Sequence, residues 1–378
     1  MEALTLGALR AEPGTKVTGF LEVPGTAIQM PVTLAQGTVP GPLLSISAGV
    51  HGGEYPGIEA AIQTAAGLDP QQVRGSVVIV HIVDVPAFHG RNIYICPLDG
   101  KNPNRVFPGN PKGTASERLA HALFSEVIAR AQFYVDLHGG DINEALVPFT
   151  IIMDSGDREV DDRALTLARV YGIRYVIRGR VAGGSYAAAA QRGIPAILPE
   201  AGGQGLLDQQ ALQIHLRGLR NVMKQIGTLA GDPEPVGPVT VLSGFHWVTS
   251  AHSGLFYPRI APGDQVEAGQ VVGETRDYFG RALGAVTAPA TGVILFTVTT
   301  PATNVGDPLF GVGSALAAPG DEARSGPASP GGRPAAHVTR LKMSEGIFVL
   351  VLVVHAQVIL GFIGNGMAPG IGPDWLHW

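Results

Sequence analysis

Residues 42–54 read PLLSISAGVHGGE, an apolar run from Pro42 to Val50 that halts at His51-Gly52-Gly53-Glu54. The run has the length of a strand, and paired glycines permit a tight turn. An alanine-rich stretch follows, Ile58 to Leu68, with helical spacing and no breaker before Gly67. The segment therefore reads as strand, turn, helix. Working outward, Ser76–Val85 (SVVIVHIVDV) is apolar on both faces, as a buried parallel strand is. Residues 86–113 hold many Pro, Gly and Asn and read as a long ordered loop. Thr114 or Ser116 can cap a helix over about 117–131, striped by Leu119, Leu123, Val127 and Ile128. Strands are expected at 132–137, 147–153 and 174–177, with a helix over 158–171 whose charged start (157–163) faces solvent. A last strand, Ile194–Pro199, precedes Glu200-Ala201-Gly202-Gly203 and a helix over 207–229. This alternation predicts an α/β fold, a mostly parallel or mixed sheet covered by helices. Such sheets bind ligands at the carboxyl ends of their strands.

The rest of the chain changes character at Gly231-Asp232-Pro233-Glu234-Pro235. From there to Gly313, short strands alternate with Gly/Pro turns, an all-β pattern. The expected organisation is a catalytic domain (1–230), a β-rich domain (231–313), a disordered Ala/Gly/Pro/Ser tether (314–345) and an apolar tail (346–378). Within the tail, residues 346–364 are nineteen residues without a charge. As a helix they would span about 28 Å, near the thickness of a bilayer core. His355 and Gln357 stand near the middle and are costly in lipid. A cytoplasmic enzyme is the first reading of location, with membrane anchoring through the tail as the alternative.

Composition narrows the partners. At 378 residues and 45% hydrophobic, the chain supports two domains and is not globally disordered. A net charge of −5 leaves no cationic surplus for nucleic acid. The single cysteine, Cys96, excludes an intrachain disulfide framework and reads as a small buried or loop residue. The N-terminus has neither a basic region nor an apolar run, so no secretory signal is expected. Only 15% of residues are charged, which implies apolar surface and leaves room for a homo-oligomer.

Three strand ends carry the reactive side chains: His51-Gly-Gly-Glu54, Asp136-Leu-His138-Gly-Gly, and Pro199-Glu200-Ala-Gly-Gly. His51 and Glu54 can present an imidazole nitrogen and a carboxylate to one point, and His138, from another strand end, completes three ligands. A catalytic zinc needs such a set with a fourth position open, where it activates a water and polarises a carbonyl. Glu200 can take the proton from that water and return it to a leaving nitrogen. A lone His-x-x-Glu is common by chance; three such ends in one parallel-sheet context are not. Between the first two, Asn104-Arg105 offers an amide and a planar fork for a substrate carboxylate, and Arg91 a further positive charge. An Asn-Arg pair is by itself as often a surface pair. His81 reads as part of a buried strand, while His89, His121, His215, His246 and His252 have no partner at ligand spacing.

The segments SAGVHGGEYPG, PLDGKNPNRVFPG, VDLHGGD and IPAILPEAGG, in this order over residues 40–313, resemble the succinylglutamate desuccinylase/aspartoacylase family, the deacylase branch of the zinc carboxypeptidase superfamily. The resemblance implies a zinc carboxypeptidase-like fold followed by a small barrel-like β domain. It implies hydrolysis of the amide of a small-molecule N-acyl amino acid or related acid, with one zinc per chain. His51, Glu54 and His138 would be the metal ligands, Glu200 the general base and acid, Asn104 and Arg105 the carboxylate clamp, and Arg91 a holder of the acyl oxygen. Asp136 would either orient His138 or be a strand residue satisfied by backbone donors. The β domain would cover the active site or serve packing alone. No lysine lies between Lys224 and Lys342, so it carries no biotin or lipoyl group. Asp84 and Pro103 depart from the family pattern, where Asn and Leu are usual. A peptide-trimming zinc carboxypeptidase and a non-catalytic metal- or ligand-binding relative are the competing readings.

Overall fold

In a computed structural model, which describes residues 2–180 and 182–315, the opening apolar run is the strand Val39–Ala48. It lies inside a nine-stranded sheet. From edge to edge the order is Thr240–Leu242, Tyr175–Gly179, Phe149–Met153, Ala196–Glu200, Phe133–Leu137, Val39–Ala48, Arg74–Val80, Gln29–Gln36 and Thr15–Glu22. The run from Ala196–Glu200 to Arg74–Val80 is parallel. Phe149–Met153 is antiparallel to Ala196–Glu200 and parallel to Tyr175–Gly179, which is parallel to Thr240–Leu242. The last two strands are antiparallel. The sheet is therefore mixed.

Alternation along each strand splits the core in two, because successive side chains leave opposite faces of a sheet. On one face Val77, Ile79, Val135 and Ile197 pack against the helices Tyr55–Gly67, Arg158–Tyr171 and Gln209–Gln225. On the other, Val78, Val80, Tyr134 and Leu198 pack against Ala115–Glu126 and Ser185–Gln191. Runs apolar at every position are required because both faces are covered.

Several elements differ from the sequence expectation. The loop read over 86–113 contains a helix, Val85–Gly90, and a 3-10 turn, Pro103–Arg105. Pro86, at the start of the expected loop, sits in the first turn of this helix, where no N–H partner is needed. Asp84 caps that helix, its Oδ1 accepting from the Ala87 N–H at 3.0 Å. The helix read to 131 ends at Glu126 and is followed by a 3-10 turn, Ile128–Arg130. His81 stands one residue past the Arg74–Val80 strand, with Nε2 2.8 Å from Thr33 Oγ1.

Beyond Thr240–Leu242, the chain forms antiparallel sheets. One of them takes in Glu144–Leu146, which leaves the first part of the chain to pair with Gly292–Val298, with Leu146 opposite Phe296. Another joins Gly254–Pro258, Val271–Arg276, Ala282–Thr287 and Ala302–Thr303. No closed barrel forms among the described residues. Apart from 314–315, the tether and tail expected over 314–378 lie outside them. Among the described residues, no helix is long and apolar enough to cross a membrane.

Candidate metal centre

His51 and Glu54 lie between the Val39–Ala48 strand and the helix that begins at Tyr55, while His138 directly follows the strand Phe133–Leu137. Those two strands are paired in register, Ala48 opposite Leu137, so their ends deliver the three side chains to one place. Each offers a ligand atom, and these atoms lie within 4.8 Å of one another, all buried. Glu54 is central: Oε1 lies 2.7 Å from His51 Nδ1 and Oε2 2.8 Å from His138 Nδ1. Two imidazoles and one carboxylate converging in a buried pocket form a donor set that fits zinc.

The glycines act here through close approach. A Cβ on Gly52 would stand 2.1 Å from Phe88 N, and one on Gly139 2.6 Å from the Ala201 carbonyl. Substitution at either would push the ligand loops apart.

Each histidine turns its other nitrogen to a fixed acceptor, the arrangement that sets the tautomer of a metal-bound imidazole. His51 Nε2 is 3.1 Å from Asn102 Oδ1, and His138 Nε2 is 3.0 Å from Asp136 Oδ2. Asp136 also accepts from Ser47 Oγ at 2.6 Å and from Ser185 Oγ. Its partners are side chains, which favours the orienting role over a backbone-satisfied strand residue. Asn104 joins both outer shells. Its N–H donates to Asn102 Oδ1 at 2.8 Å, and its Oδ1 accepts from the Ser185 N–H at 2.9 Å.

For Glu54, burial raises the pKa, but His138 and His51 outweigh it and hold the carboxyl at about 2. Burial pulls His51 down, and the Glu54 carboxylate more than reverses this. Glu200 behaves in the opposite way to Glu54. Burial drives it well above the ordinary carboxylate range, opposed by His138 and reinforced by Glu54 and Glu144. Its Oε2 is buried with no hydrogen-bond partner among the described residues.

A cavity of about 520 Å³ opens on this centre and is lined by His51, Glu54, His138, Asn104, Arg105 and Glu200. Arg91 is not among the lining residues: it is exposed, in a left-handed conformation (φ 52°) at the end of the Val85–Gly90 helix. Arg178 and Arg180 reach the cavity instead, from and just past the end of Tyr175–Gly179. Arg178, Arg180, Tyr94 and Glu144 belong to none of the sequence motifs that mark the site. Burial raises the Glu144 pKa to about 7. Of the other histidines, His215 is buried with Nδ1 2.8 Å from Tyr171 OH, and burial lowers its pKa to about 4.

Residues 40–226 match the succinylglutamate desuccinylase/aspartoacylase catalytic domain. The chain is 30% identical over 308 residues to the N-α-acetyl-L-2,4-diaminobutyric acid deacetylase of Halomonas elongata, covering 77% of this chain and 89% of that protein. Among solved structures, it is similar to the product-bound ectoine utilization protein EutE (DoeB) from Ruegeria pomeroyi. The TM-score is 0.75 at 25% identity, over 82% of this chain and 98% of that one. It is also similar to a succinylglutamate desuccinylase/aspartoacylase from Rhodobacter sphaeroides, with a TM-score of 0.72 at 27% identity, over 79% and 96% of the two chains. With its converging His-Glu-His group, its mixed sheet and these matches, the chain belongs to the succinylglutamate desuccinylase/aspartoacylase family.

Proposed function

We propose that the protein is a zinc-dependent deacylase that hydrolyses the amide bond of an N-acylated amino acid. The observation that carries the proposal is Oε2 of Glu200, without a hydrogen-bond partner among the described residues and buried at the same cavity as the His51–Glu54–His138 cluster. In this reading the three residues hold one zinc ion, which when bound supplies a Lewis acid that acidifies a water and polarises a carbonyl. Glu200, its basicity raised by burial, accepts the water's proton at its carboxylate as the acyl carbon is attacked. It then delivers that proton to the leaving nitrogen, so that the products are a carboxylate and a free amine. Asn104 and Arg105 orient the substrate through its carboxylate. Asp136 and Asn102 hold the two imidazoles in place throughout. The deacetylase relative supports an N-acetyl group as the acyl part and an amino acid as the leaving part. Arg91, exposed and away from the cavity, has no part in this scheme.

Replacing Glu200 by Gln tests the assignment. Zinc content should be unchanged while kcat for an N-acetyl amino acid falls about 10²- to 10⁴-fold. A variant that binds zinc and turns over at the wild-type rate would remove Glu200 from the mechanism.

A further inference from the structure

We infer that the amino acid released by this enzyme carries a large apolar side chain, aromatic or branched aliphatic, seated on an aromatic wall beside Glu200. The inference rests on the deacylase reading and names the substrate class within it.

Glu200 hands its proton to the leaving nitrogen, so the amine half of the substrate lies on the Glu200 side of the scissile bond. Residues directly opposite on neighbouring strands share a sheet face. Glu200 is opposite Phe149, Leu198 is opposite Ile151, and Ile151 is in turn opposite Ile177. All five line the cavity, so the floor next to the base is apolar.

The wall continues into the antiparallel sheets. Phe149 meets Phe245 edge to face at 5.8 Å between centroids. Phe245 contacts Phe296 at 6.2 Å and Trp247 at 5.4 Å, and Trp247 lies 4.7 Å from Phe296. The aromatic row thus runs from the buried base outward to Trp247, which is 49% exposed. Such an arrangement suits an aromatic ring, which gains from edge and tilted contacts beyond simple burial.

Charge on the wall points the same way. Three arginines line the cavity, but Arg178 pairs with Asp154 at 3.2 Å and Asp161 at 2.8 Å, and Arg180 pairs with Asp154 at 2.8 Å. Among the described residues Arg105 alone of the three has no carboxylate partner, enough for one substrate carboxylate and no second. The volume, about 520 Å³, falls in the roughly 300–1,000 Å³ range of sites for drug-sized ligands. Glu144 also lines the cavity, but its Oε2 is engaged by the Asp141 N–H at 3.2 Å; an acidic amino acid would need an unpaired arginine beyond the clamp.

The test is kcat/KM of the zinc-loaded enzyme for N-acetyl-L-phenylalanine, N-acetyl-L-alanine, N-acetyl-L-aspartate and Nα-acetyl-L-2,4-diaminobutyrate. Phenylalanine should exceed alanine by about tenfold or more, with the other two below it. Phe245→Ala should reduce the phenylalanine-to-alanine ratio about tenfold. Trp247→Ala, at a half-exposed position where folding is not at stake, should reduce it in the same direction. A preference for alanine, aspartate or diaminobutyrate, or a ratio unmoved by both variants, overturns the inference and leaves the deacylase reading standing. Hydrolysis of none of the four by zinc-loaded protein overturns the deacylase reading, and this inference with it.

Discussion

Glu144 shows what a single buried carboxyl does to the molecule. It is 8% exposed, and burial lifts its pKa from an ordinary 4.5 to about 7. The folded chain therefore keeps a proton that the unfolded chain releases as pH rises through that window. Stability contributed by this group is undiminished below about pH 4.5 and falls as pH rises toward 7, a loss of up to about 3 kcal/mol. Glu144→Gln should cancel that loss. Urea unfolding of both proteins at pH 5 and pH 8, at equal metal content, should show the variant gaining stability relative to wild type at pH 8 only. An equal difference at the two pH values would contradict the assignment.

At the scale of elements, the glycines after His51 and His138 are matters of packing between a loop and its neighbour. Gly52→Ala would force a Cβ to within 2.1 Å of Phe88 N at the start of the site and should cost about 1–3 kcal/mol along with zinc affinity. Gly67→Ala, at the end of the Tyr55–Gly67 helix with open space around it, should stabilise by about 0.5–1 kcal/mol. Thermal unfolding of the two variants reads the contrast, and equal effects would refute it. The same elements explain what was legible in the sequence. His51, Glu54, His138 and Glu200 stood out because apolar strands end at them, and a parallel sheet gathers strand ends; the helix over 158–171 is found as Arg158–Tyr171. Ser185, by contrast, meets Asp136 across 49 positions of chain, from a helix, Ser185–Gln191, whose alanine run gave no amphipathic stripe. The strands Thr15–Glu22 and Gln29–Gln36 pair at the sheet edge without motif or uniform apolar run. Arg178 was invisible as a site residue because the pairing of its strand with Phe149–Met153 brings it, and Arg180 just beyond, to the cavity, and register is not written in local pattern.

Across the whole molecule, the site is divided between two architectures. Strand ends of the mixed sheet and the Pro103–Arg105 turn bring His51, Glu54, His138, Glu200, Asn104 and Arg105 to the cavity, while the antiparallel sheets bring Phe245, Trp247 and Phe296. Glu144–Leu146 links them, since it leaves the part of the chain that forms the mixed sheet to pair with Gly292–Val298. Polar and aromatic side chains from both parts thereby line one cavity. The proposed chemistry depends on a metal held by the His51–Glu54–His138 cluster. The decisive measurement is elemental analysis of purified wild type and His51→Ala, paired with amine release from N-acetyl amino acids. The expected result is about one zinc per wild-type chain, with both the zinc and the amine release lost in the variant. Wild-type protein that carries no metal and releases no amine after zinc is added would contradict it.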